Sequence, residues 1–167
     1  MVASKHQLRF SRWCQLGGPR LRLLADRVET DLLPAWAASG FSRCETDPVF
    51  GEPVPGGEIL LSRAMGDDVA FISIMFDKYH RPAFQIALIR RKAKPPHDMV
   101  FSGNLVSSPK RYYQFWGKPW WWPGRFWSAA MARRTIAQVA ARQAEALAFL
   151  ETSARGRSIS RDWRAEQ

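Results

Sequence analysis

Residues 68–91, DVAFISIMFDKYHRPAFQIALIRR, constrain this chain more than any other stretch. Their spacing predicts two adjacent strands joined by a turn at 77–81. In the first strand Ala70, Ile72, Ile74 and Phe76 fall on one face, and Val69, Phe71 and Met75 on the other, because side chains alternate along a strand. A strand apolar on both faces belongs inside a sheet, covered on both sides. In the second strand Phe84, Ile86 and Leu88 share a face, while Gln85 and Arg90 point to a more exposed position. Pro82 fits the start of that strand, where no ladder hydrogen bond needs its missing N–H. The pattern speaks to fold and carries no chemistry.

Around this hairpin the sequence predicts a single-domain α+β fold, an antiparallel β-meander flanked by an N-terminal and a C-terminal helix. Residues 1–18 read as an arm with isolated Phe10, Trp13 and Leu16, expected to dock through its aromatics. Residues 19–152 read as the domain. Leu21, Leu24, Val28, Leu32 and Trp36 repeat at helical spacing, with Pro34 expected to kink the helix or end its regular part near Leu33, and Gly40 to close it. Strands are expected at 41–45, 58–65, 68–76 and 99–106, giving a meander of three or four strands with Gly66-Asp67 as a hairpin turn. The last helix is expected over 128–151, with Ile136, Val139, Gln143, Leu147 and Leu150 on one face. Residues 153–167 read as a frayed basic tail, apart from Ile159 and Trp163.

The net charge of +10 biases the chain toward acidic partners. That charge is unevenly placed. Between Asp98 and Glu145 there is no acidic residue, while Lys110, Arg111, Lys118, Arg125, Arg133, Arg134 and Arg142 lie there. The same interval holds SSPKRYYQFWGKPWWWPGRFW, residues 107–127, too apolar for a solvated linker. Three reasons for such a stretch compete. Rings can cap the core with cations reaching outward. Trp, Tyr and Arg are enriched at protein interfaces. Cations interleaved with rings also suit single-stranded nucleic acid. The candidate partner-binding residues are Lys110, Arg111, Tyr112, Trp116, Lys118, Trp120, Trp121, Trp122 and Arg125. Because neighbours on an extended chain point opposite ways, at least one ring of Trp120–Trp122 is expected to be exposed.

LLPAWAASGF at 32–41, FDKYHRPAFQI at 76–86 and YYQFWGKPWWWP at 112–123, in the order helix, Gly-Phe, meander, helix, resemble small bacterial proteins of uncharacterised families. Some proteins of this look are immunity or accessory factors beside toxins or mobile elements. The resemblance implies a fold more than an activity.

Catalytic signals are sparse. Asp77-Lys78-Tyr79-His80-Arg81 is the densest ionisable cluster. Asp77 and His80 could pair across the turn as an acid–base couple. The plainer reading is a polar β-turn, which favours Asp at its start. His6 and His97 lack metal-site spacing, Cys14 and Cys44 lack a nucleophile motif, and neither a metal nor a cofactor is expected. Two cysteines are too few for a disulfide framework, and the N-terminus has no signal-peptide core. No stretch reaches membrane-span length, so a cytoplasmic protein without a membrane partner is expected. The sequence reading is therefore a non-enzymatic binding protein that contacts another protein. A nucleic-acid-binding protein is the alternative, and an enzyme centred on Asp77 and His80 the third reading.

Overall fold

The hairpin predicted from residues 68–91 forms the middle of the sheet. In the computed structural model, residues 4–107, 114–116 and 129–164 are described, with Gln114, Trp116 and residues 161–164 described for their backbone alone. The strands are β1 (Ser42–Cys44), β2 (Glu58–Met65), β3 (Asp68–Phe76), β4 (Ala83–Lys92), β5 (Met99–Leu105), β6 (Gln114–Trp116) and β7 (Ile159–Arg164). They lie in the antiparallel order β1-β2-β3-β4-β5-β7, and β6 pairs with β4 beyond the end of β5. The meander is thus longer than the three or four strands expected. β4 is central, not exposed: Arg90 comes in from the sheet to meet Asp68 at 2.7 Å.

The helices are α1 (Lys5–Leu16), α2 (Gly18–Arg27), α3 (Leu33–Ala38), α4 (Ala129–Ala140) and α5 (Gln143–Thr152). Their buried residues join Ile59, Leu61, Ala70, Ile72, Ile74, Ile86, Leu88 and Leu105 in one core. All five helices therefore share one face of the sheet. On the other face Leu60 and Phe71 are covered by Val54 and Val49 from the β1–β2 connection. β3 is covered on both sides, as its sequence requires.

Residues 5–16 are a helix where the sequence pattern suggested an arm. Ser4 accepts from the Gln7 N–H, and the Gln7 side chain accepts from the Ser4 N–H, a reciprocal cap that satisfies two orphan donors. His6, Phe10 and Cys14, each four apart, form the buried stripe that docks it. The regular α-helix ends before Pro34, at Arg27. Proline offers no N–H and its ring would strike the carbonyl four residues back. The helix widens into a π-turn over Val28–Leu32, with the Leu33 N–H donating to the Val28 carbonyl, five residues back.

The single C-terminal helix is also two. It breaks at Ala141–Arg142, where Arg142 turns to the carbonyls of Gln138 and Ser107. Gln143 ties the new helix to α3 through the Ala35 carbonyl at 2.8 Å. The expected frayed tail instead supplies β7, whose Ile159 pairs with Leu105 and is buried. The α5 C-terminus is held by Arg90, which donates to the carbonyls of Leu150 (3.1 Å) and Glu151 (2.9 Å). A cation there meets both orphan carbonyls and the negative end of the helix dipole.

Ile74 is wholly buried in the central strand between Ile59 and Ile86. We expect Ile74→Asp to prevent folding. A buried unpaired carboxylate costs several kcal/mol, against a total stability of about 5–15 kcal/mol. A cooperative thermal melt of that variant by circular dichroism would contradict this register.

Candidate functional site

The β3–β4 turn brings the densest ionisable cluster to one end of the sheet. Asp77 follows β3, and its main-chain N–H donates to the Ala83 carbonyl at 3.0 Å. Its carboxylate then folds back over the turn. Oδ1 accepts from the Tyr79 N–H (2.9 Å) and Arg81 Nε (3.0 Å), and Oδ2 from Arg81 Nη2 (2.6 Å). The His80 N–H donates to the Asp77 carbonyl at 2.8 Å, and His80 takes a left-handed φ of 56°. This is an Asp-initiated turn locked by a bidentate arginine.

The Asp77–His80 couple does not form. Asp77 is spent on Arg81 and Tyr79, while the His80 ring packs at a tilt of 43° against Trp13 of α1, centroids 4.6 Å apart. Burial alone would raise the Asp77 carboxyl, but the Arg81 hydrogen bond and charge and the Tyr79 N–H outweigh it. They hold Asp77 below the usual carboxylate range. A carboxylate kept ionised in this way is poorly matched to trading protons near neutrality.

Trp13 connects the turn to the rest of the molecule. Its ring lies 6.1 Å from Phe76 and packs flat against the backbone at Gly57, where any Cβ would come within 2.8 Å of it. At Gly17, between α1 and α2, a Cβ would sit 3.0 Å from the His80 carbonyl and overlap Leu21. Both glycines are there for close approach. The turn is therefore backed by α1, and its outer side faces water. Tyr79 is 66% exposed, with Lys78 Nζ 5.1 Å and the Arg81 guanidinium carbon 5.3 Å from its ring centre.

The sequence-derived partner residues meet this region at one point. Trp116 in β6 pairs with Ala83, two residues beyond Arg81. Lys110, Arg111, Tyr112, Lys118, Trp120, Trp121, Trp122 and Arg125 lie outside the described residues, as does the Trp116 side chain. The expectation of an exposed ring among Trp120–Trp122 falls there too. Sequence reasoning missed the Trp13–His80 contact. Its available signal was the Ser4–Gln7 cap spacing, which starts the docked helix Lys5–Leu16.

Other reactive groups serve packing. Burial, with Asp26 and Glu29 adding to it, pushes the Cys14 thiol up to about 12. Burial likewise raises Cys44, against the Ser62 hydrogen bond. His6 is wholly buried and contacts the Glu58 carbonyl through Nε2 at 2.9 Å. Burial first, then the Arg43 charge and more weakly Arg9, lower its pKa, against the backbone carbonyls of Pro55 and Glu58. Among the described residues, no group of three or more His, Cys, Asp or Glu side chains could hold a metal, and no helix is long and apolar enough to cross a membrane. No family model, curated protein or solved structure matches the chain.

These shifts set the pH dependence of stability. His6 binds a proton less readily in the folded chain than in the unfolded one, where its value is about 6.5. Its contribution is complete above that value and is lost as pH falls toward the lower folded value. Asp77 acts further down: its contribution is present above the ordinary carboxylate value of about 3.9 and is lost as pH falls through its folded value. We expect a melting temperature that is level above about pH 7, declines below about 6.5, and declines again in acid. His6→Gln should remove the first decline and leave the second. A wild-type profile flat from about pH 7 to about 5 would show that His6 is not held neutral.

Proposed function

We propose that this is a non-enzymatic binding protein of bacterial type, an immunity or accessory factor that works in the cytoplasm by docking on an acidic protein. The observation that carries the reading is Tyr79, presented to solvent between Lys78 and Arg81 on a turn that Asp77 makes rigid. A rigid aromatic anchor loses little conformational entropy on docking. The Lys78 charge steers an acidic partner and raises its association rate. Tyr and Arg are among the residue types most enriched at the energetic centre of interfaces. The tryptophans at 116 and 120–122 and the cations at 110, 111, 118 and 125 are the further candidate contacts that the sequence offers.

Nucleic acid is the second reading, because a ring between cations also receives a stacked base beside its phosphate. Salt separates the two. Phosphate contacts release counterions, so affinity for nucleic acid falls steeply as salt rises. Protein docking through a buried ring weakens less.

The test is copurification from the native host, followed by titration of the captured partner. We expect Tyr79→Ala to weaken binding at least about tenfold, and Lys78→Glu to slow association, with melting unchanged because both side chains are outside the core. Unaltered affinity in both variants would place the docking surface elsewhere. Capture of RNA or DNA that survives moderate salt would favour the second reading.

A further inference from the structure

We propose that α1 is a membrane-surface element, laying its outer face on an anionic lipid bilayer. With 3.6 residues per turn, Lys5, Leu8, Arg12 and Leu16 fall on the side away from the buried stripe of His6, Phe10 and Cys14, with Arg9 at its flank. All five are exposed. Leu8 and Leu16 are 60% and 72% exposed, two of the four large exposed hydrophobic residues among those described. The helix, KHQLRFSRWCQL, contains no acidic residue. Among the described residues, no ion pair engages Lys5, Arg9 or Arg12.

The chemistry of this face selects its occupant. The two leucines protrude, so they suit a deformable surface better than a partner that would need a pocket for each. Cations between them fit anionic headgroups, while the leucines enter the acyl boundary. A second copy of the same face would set three cations against three, which repels. The expectation of no membrane partner came from span length, and a helix lying on the surface needs no span. The helix is already folded and docked by its own buried stripe, so adsorption carries no cost of folding it.

The experiment is sedimentation of the full chain with vesicles rich in phosphatidylglycerol and with vesicles of phosphatidylcholine alone. We expect binding to the anionic vesicles only, weakening as salt rises. Leu8→Gln with Leu16→Gln should weaken it at least about tenfold. Arg9→Gln with Arg12→Gln should weaken it about fivefold per cation. Circular dichroism checks that each variant keeps its helix content, and the arginine pair stands as the test if the leucine pair fails to fold. The proposal is overturned by no sedimentation with anionic vesicles, by equal binding to phosphatidylcholine, or by binding that neither pair of changes alters. A dimer in solution that the leucine changes dissolve would make a second copy the occupant and also overturn it. None of these results bears on Tyr79, so the docking reading stands or falls separately.

Discussion

Ile59, Ile74, Ile86 and Leu105 stand in one row across four strands, each wholly buried, and Ile159 continues the row onto a fifth. Keeping that row from water is the constraint on which the other elements depend. A side chain of this kind gains about 1.5–3 kcal/mol when buried, but a sheet cannot bury its own face. Cover must come from the helices, and each is fixed to the sheet side by something specific. α1 uses Phe10 and Cys14, the α2–α3 rod uses Leu21, Leu24, Val28, Leu32 and Trp36, α4 uses Ala132, Ile136 and Val139, and α5 uses Ala146, Phe149 and Leu150. Arg90 then locks the last helix down from within the sheet, with Asp68 neutralising it at 2.7 Å and Lys92 2.9 Å from the same carboxylate.

What was legible in the sequence follows from the range of the interactions. The hairpin at 68–91 and the strand at 58–65 came through because period-two alternation and a Gly-Asp turn are local signals. β7 did not, because a short polar segment becomes a strand only when β5 offers it a ladder. Propensity says little about such a segment. Arg90 was misread as a mark of exposure, since nothing in its own neighbourhood shows that Asp68, twenty-two residues away, and the end of α5 would receive it. The candidate site divides in the same way. The Asp-led turn was readable from Asp77 and Pro82, but the backing of that turn by Trp13 is a contact across the whole fold.

The placement of charge matters more than its total. Among the described residues, five of the fifteen acidic groups are paired within the chain: Glu29 with Arg43, Asp31 with Arg27, Asp68 with Arg90 and Lys92, Asp77 with Arg81, and Glu151 with Arg63. Arg43 and Arg63 also lie over the rings of Phe10 and Phe41, at 5.6 and 4.9 Å, so these cations are part of the packing. What remains to face water is an excess of positive charge, including Lys5, Arg9, Arg12 and Lys78 on the exposed sides of α1 and the β3–β4 turn. A net charge of +10 spread evenly would mainly aid solubility. Here these outward cations stand beside Leu8, Leu16 and Tyr79, which expose apolar surface. Cation and apolar surface side by side is the combination that both attracts an acidic partner over distance and holds it on contact.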